Sequence, residues 1–268
     1  MDYSVLMTIY KGDNADYAKL SIESILNQSV KTNDFVIVCD GPLTDKLNEM
    51  LYKFKDANNC IKLVELEENV GLGAALRIGV EECKNSIIAR MDNDDIAKLN
   101  RCELELEEFK KNSDLAICGS FMNEFEYDNQ TPIRMKKVPI EYEDIKRYSK
   151  RRNPFNHSTV MFKKECILNV GNYSSMRTNQ DVDLWVRALN NGLKGINIPL
   201  ALVDFRFDDD TYKRRKDWKN VKLLIETWKN FYNNKYCSFL DLFYVFVTQI
   251  AIFIIPTWLL KWSYDHLR

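Results

Sequence analysis

"IIARMDNDDIAKLN", residues 87–100, sets a branched apolar run directly against three carboxylates in four positions: Asp92, Asp94 and Asp95, with Asn93 among them. A short apolar run bounded by turn residues reads as a strand buried on both faces. Carboxylates this close repel unless positive charge lies between them. Three runs of the same kind precede it: "SVLMTIY" (4–10), "DFVIVCD" (34–40) and "IKLVEL" (61–66). The intervening segments, 14–29, 44–56 and 71–83, carry apolar residues at helical spacing, such as Tyr17, Leu20, Ile22, Ile25 and Leu26. Strand–helix alternation over 90 residues predicts an α/β fold, a Rossmann-like, mostly parallel sheet with right-handed crossovers. Ligands in such sheets sit beyond the carboxyl ends of the strands. "DGP" (40–42) and "MDNDD" (91–95) both fall there.

Past a helical stretch at 101–112 the alternation stops. Residues 115–128 and 131–140 read as two strands of an irregular half, 180–192 as a helix ending at Gly192, and 196–207 as extended. A basic segment, 213–222, leads into a further helix through Tyr232. The 268 residues are 46% hydrophobic and 29% charged, enough for a packed core and unlike a disordered chain. A net charge of −1 argues against a nucleic-acid partner. The seven scattered cysteines form no C-x-x-C pair and read as reduced residues of a cytosolic protein. With only His157 and His266 to join them, a zinc site is not expected. "DYSVLMTIY" has no basic leader region or cleavage site, so it reads as a strand rather than a signal peptide.

"DNDD" has two readings. One is a solvated turn with an Asp capping a helix that starts near Lys98. The other is a metal diphosphate site, since hard divalent cations take oxygen ligands and leave room for phosphate oxygens. The order and spacing of the motifs add to the second. "SVLMTIYKGDNADYAKLSIESILNQS", "VIVCDGP", "ENVGLGAALRIGV", "ARMDNDDIA", "NPFNHSTVMFKKE", "VGNY" and "NQDVDLWVRALNNG" together resemble a family 2 glycosyltransferase of GT-A fold, similar to bacterial enzymes of capsule, exopolysaccharide and O-antigen synthesis.

The resemblance implies roles. Asp92 and Asp94 match the D-x-D that carries Mn2+ or Mg2+, with Asp94 the direct ligand and Asn93 between them on the donor side. Asp40 matches the carboxylate that reads a uracil or thymine edge. Thr8, Ile9 and Tyr10 match the strand end around base and ribose, and Gly71 and Leu72 the loop over the nucleotide. Asp40 before Gly41-Pro42 is also a turn former, and Tyr10 also a strand aromatic. Arg77, where relatives have a smaller polar residue, reads as an exposed helix residue. His157 matches a position near acceptor or diphosphate, but also fits a structural histidine. Arg214 and Arg215 match a mobile basic loop that clasps the diphosphate, and equally a membrane-facing patch.

Inverting transfer needs one base for the acceptor hydroxyl. Asp181 matches it, with Gln180 where the family has Glu; Asp183 reads as structural. The competing reading makes Thr178 and Asp181 a capping box. The position near a helix start predicts a lowered carboxyl pKa. Residues 242–260 run 19 positions without a charge, interrupted by Thr248, Gln249 and Pro256 and flanked by Lys261, Arg268, Trp258 and Trp262. They read as a buried helix, an interfacial helix or a span, with a membrane-associated helix at the cytosolic face preferred. The expected division is a GT-A catalytic domain at 1–210 (nucleotide-sugar half 1–100, acceptor half 101–210) and a helical, membrane-associated region at 211–268. The implied partners are a UDP- or dTDP-sugar donor, a polyprenyl-diphosphate-linked saccharide and the inner face of the cytoplasmic membrane. A sugar-phosphate nucleotidyltransferase would need a glycine-rich basic loop where "YKGDNAD" stands. A non-catalytic nucleotide-sugar-binding protein would lack Asp181.

Overall fold

A computed structural model describes residues 1–126, 129, 131–207 and 209–260, without the side chains of 209, 210 and 214. The first half runs β1 (Ser4–Ile9), α1 (Ala15–Leu26), β2 (Asp34–Cys39), α2 (Asp45–Ala57), β3 (Ile61–Glu65), α3 (Leu72–Glu82) and β4 (Ile87–Arg90). It continues through β5 (Ile96–Ala97), α4 (Arg101–Lys111), β6 (Leu115–Phe125), β7 (Arg134–Lys136), α5 (Tyr142–Ser149), β8 (Met161–Lys163), α6 (Lys164–Asn169), α7 (Gln180–Asn190) and β9 (Lys194–Arg206). Helices α8 (Asp209–Lys216), α9 (Trp218–Asn233) and α10 (Phe239–Ile254) follow.

Among the described residues the strands form one sheet in the order β3-β2-β1-β4-β8-β6-β9-β5, with β7 on β6. The first four are parallel, β8 enters antiparallel between β4 and β6, and β9 runs parallel to β6. The continuous apolar runs follow from burial on both faces. Val5, Met7, Ile9, Phe35 and Ile37 point to a core shared with α1, α2 and α4, while Leu6, Val36 and Val38 meet α3 and α7. The parallel strand ends β1, β2 and β4 therefore open on one edge, with loops 10–14, 40–44, 66–71 and 91–95 above them.

Helix α7 has two working faces. Leu184, Trp185, Ala188 and Leu189 pack on the sheet, while Val182 and Val186 pack on Trp228 and Phe231 of α9 and Val245 of α10. The C-terminal helices thus lie against the irregular half of the chain. Among the described residues no helix is long and apolar enough to cross a membrane. The uncharged run breaks at Pro256, which has no N–H to donate and holds Ile255 extended at φ −62°, ψ 142°. The 16 residues of α10 reach ~24 Å, short of a ~30 Å hydrocarbon core. The helix buries Asp241 and Val245 and leaves Leu240, Phe243, Val247, Ile254 and, past the break, Trp258 exposed. Lys261, Trp262, His266 and Arg268 lie outside the described residues.

Candidate active site

Nine of the expected residues line one cavity of about 300 Å³ above the parallel strand ends: Thr8, Ile9, Tyr10, Asp40, Gly71, Leu72, Asp92, Asn93 and Asp94. Asp13, Asn69 and Arg177 complete its lining, and none of these three was singled out from sequence. Asp40 is buried and serves its own neighbourhood first. Its carboxylate accepts from Val70 N at 2.7 Å, Asn69 Nδ2 at 2.9 Å and Gly71 N at 3.1 Å. An ionised carboxylate has about four acceptor sites, so roughly one remains for a ligand. Gly71 has φ +89°, a conformation that disfavours side chains, and opens α3. A Cβ on Gly73 would lie 2.2 Å from Ser174 O and 2.5 Å from Met176 O. That close approach lets the loop before α7 rest on α3, with Arg177 at the cavity wall.

Arg90 brings positive charge to the three carboxylates. Its buried guanidinium grips Asp92 through both terminal nitrogens. Burial opposes charge on Arg90, but Asp92, with Tyr173 and Asp95 adding to it, outweighs this and raises its pKa. Asp95 is fully buried and accepts Arg206 N at 3.0 Å. Burial, followed by the charges of Asp94 and Asp92, pushes its carboxyl well above the usual range. Asp13 accepts Tyr10 N at 2.8 Å and Asn93 Nδ2 at 2.7 Å, and burial, with Asp94 and Asp92 adding to it, raises its carboxyl to about 6. Helix α4 begins at Arg101 with Asn100 at its cap, so no Asp of "DNDD" caps it. Among the described residues no group of three or more His, Cys, Asp or Glu is placed to hold a metal by itself.

Asp181 lines a different cavity of about 510 Å³, walled by residues of α5, α7, α9 and α10. Its Oδ2 accepts Asn153 Nδ2 at 2.6 Å. Asn179, in the left-handed region at φ 62°, is the N-cap of α7 and makes no side-chain cap bond. Thr178 therefore stands outside the helix, and the capping-box reading of Thr178 and Asp181 does not hold. The lowered pKa expected from the helix start is also overturned. Burial raises the Asp181 carboxyl, outweighing Val182 N–H, Asn153 and Arg90. Asp183 pairs with Arg187 at 2.9 Å, one turn on.

The remaining expectations separate. His157 is not among the residues lining either cavity. Its Nε2 lies 3.0 Å from Tyr173 Oη, its ring 6.2 Å from that of Trp185, and burial with nearby Arg90 keeps it neutral, well below 6.5. Residues 213–216 are helical in α8 rather than a loop. Arg215 shares a third cavity with Asp181 and lies 4.9 Å from the Phe207 ring centre. The Arg214 side chain lies outside the described residues. Arg77 is exposed and pairs loosely with Glu81 at 3.9 Å.

Residues 4–169 match the family model of Glycosyl transferase family 2. The chain is 38% identical over 255 residues, 95% of its length and 92% of the other's, to a UDP-Gal:alpha-D-GlcNAc-diphosphoundecaprenol beta-1,3-galactosyltransferase of Escherichia coli. The chain belongs to glycosyl transferase family 2. This transferase is also 27% identical over 99% of both chains to the amylovoran biosynthesis glycosyltransferase AmsE of Erwinia amylovora. Its fold matches mannosyltransferase PcManGT of Pyrobaculum calidifontis, solved with GDP-Man and Mn2+, at TM-score 0.67 and 13% identity, over 97% of this chain and 72% of that one. It matches S. aureus TarS at TM-score 0.63 and 14% identity, over 87% of this chain and 44% of TarS. The architecture of this family 2 transferase is GT-A, as the motif order implied.

Proposed function

We propose that this family 2 glycosyltransferase moves a sugar from a UDP- or dTDP-sugar to a polyprenyl-diphosphate-linked saccharide, with inversion, in bacterial surface polysaccharide synthesis. The observation that carries the reading is the separation of carboxylates: Asp92 and Asp94 in one cavity, and Asp181 alone of the three in a second. Thr8, Ile9 and Tyr10 receive base and ribose, Asp40 uses its remaining acceptor site on the base edge, and Leu72 opens the helix beside the diphosphate. The UDP-Gal donor and lipid-linked acceptor of the E. coli relative support the assignment.

A divalent cation fits the first cavity. The donors are oxygens, and Asp13, Asp92 and Asp94 line it together. Asp94 would be its direct protein ligand, as the family resemblance implies, and diphosphate oxygens would supply further ligands. When bound, Mn2+ or Mg2+ offsets the charge on the departing diphosphate. Asp181 accepts the proton of the acceptor hydroxyl as its oxygen attacks the anomeric carbon. The bond to the diphosphate breaks on the opposite face, and the nucleoside diphosphate leaves. A base whose pKa is raised toward the working pH takes that proton more readily. The exposed apolar residues of α10 would rest on the inner face of the cytoplasmic membrane, near a lipid-borne acceptor.

The test is a panel of UDP-, dTDP- and GDP-sugars incubated with Mn2+, following nucleoside diphosphate release and the anomeric configuration of the product. Slow release without acceptor and a β-linked product from an α-linked donor are expected. Pyrophosphate release from a nucleoside triphosphate, or a retained configuration, would overturn the reading.

A further inference from the structure

The cavity that holds Asp181 does not end at the helices that wall it. Tyr148, Arg151, Arg152 and Tyr244 line it and also line a neighbouring cavity of about 720 Å³, which reaches Leu240 on the exposed apolar side of α10. Two arginines therefore stand at the junction of a polar chamber and an apolar exit. Their charges differ in how they are met. Arg151 pairs with Asp241 at 2.5 Å and stacks on Tyr244 at 5.1 Å. Arg152 donates to Tyr244 Oη at 2.9 Å and lies 5.8 Å from the Tyr148 ring centre. Among the described residues no carboxylate pairs with it. Two phenols orient the guanidinium without neutralising it. It also sits one residue before Asn153, whose amide bonds Asp181.

We infer that Arg152 binds the anionic diphosphate of the acceptor, fixing the first sugar over Asp181 and directing the lipid chain past Tyr244 toward Leu240. This rests on the proposed transferase reading and deepens it on the acceptor side. A planar guanidinium fork matches two phosphate oxygens, and the ion pair it would form lies in a partly desolvated junction.

Decyl diphosphate is the probe, titrated by calorimetry with EDTA present, so that metal-dependent binding in the donor cavity is silent. Decyl maltoside is the neutral control, and vesicles with anionic phosphatidylglycerol are the surface control. The wild-type chain should bind decyl diphosphate, and Arg152→Gln should weaken it ~10-fold or more, with Arg152→Lys intermediate because it keeps charge and loses the fork. Equal weakening for decyl maltoside, no weakening, or displacement by UDP would each overturn the inference. So would loss of vesicle binding with decyl diphosphate affinity unchanged, which would assign Arg152 to the membrane surface. If Arg152→Gln does not fold, Arg152→Lys against the wild type carries the same comparison. Donor hydrolysis tests the transferase reading separately: a chain that hydrolyses donor but binds the probe independently of Arg152 keeps that reading and loses this one.

Discussion

Replacing Asp181 by Asn keeps the side-chain volume and removes the basic oxygen. In the structure Asp181 Oδ2 accepts Asn153 Nδ2 at 2.6 Å, and an amide at 181 can still accept that bond through Oδ1. Burial raises the carboxyl pKa, so folding works against the ionised form there. Removing the charge removes that opposition, and the expected change in stability is below ~1 kcal/mol. The sign in pH follows. Because the folded pKa lies above that of the unfolded chain, the native state keeps the proton longer as pH rises, and the wild type loses stability through that window. Asp181→Asn lacks this loss and should gain on the wild type as pH rises above the ordinary carboxylate range. Turnover should fall ~10²–10⁴-fold, or ~3–5 kcal/mol in the barrier. Donor affinity should stay close to wild type, because Asp181 is absent from the donor cavity. Single-turnover nucleoside diphosphate release with acceptor, UDP calorimetry and urea melts at several pH values measure the three quantities. Turnover within ~3-fold of wild type would refute the base assignment, since a positioned base contributes far more than that.

Asp94→Asn should abolish the difference in UDP affinity between Mn2+ and EDTA measured by calorimetry, while wild type should show a difference of ~10-fold or more; equal affinities for both chains and conditions would remove the metal from the reading. Leu240→Asp with Phe243→Asp should release the protein from anionic vesicles in flotation while leaving its urea midpoint nearly unchanged, because both side chains are exposed. Burial raises the Glu105 carboxyl to about 7 despite its pairing with Arg101 at 3.2 Å. Its folded pKa exceeds the ordinary ~4.3, so the wild type should lose stability as pH rises from 5 to 7.5, and Glu105→Gln should flatten that slope by ~1–3 kcal/mol.

The parallel half was legible because burial on both faces leaves strands with no polar alternation to confuse with a surface helix. Helix α5 was not, since Ile145 and Ser149 are its only buried residues and eight residues carry little periodicity. Strand β8 has three residues and takes its identity from pairing with β4 and β6, far away in the chain. In the cavity above the parallel strand ends, residues on strand ends and quoted motifs could be placed by pattern. Asp13 could not, because its bond to Asn93 joins positions 80 apart. Arg90 stood inside the opening motif, but a strand-end arginine gives no sign of being buried. The helix start at Asp181 suggested a lowered carboxyl pKa, which is the wrong direction, because only the enclosing helices reveal that burial outweighs the dipole.

Helix α7 carries Asp181 at its start, packs one side on the sheet and gives the other to α9 and α10. A laboratory wishing to produce this enzyme without detergent would be tempted to cut the chain before Phe239. That truncation would uncover Val182 and Val186, remove Tyr244, Gln249 and Ile252 from the wall around Asp181, and yield a protein whose inactivity says nothing about lipids. Recoding the outward residues Leu240, Phe243 and Val247 as polar would instead leave the inward packing of Val245 in place. For this protein, solubility engineering and preservation of the chamber around Asp181 are solved on opposite sides of one 16-residue helix.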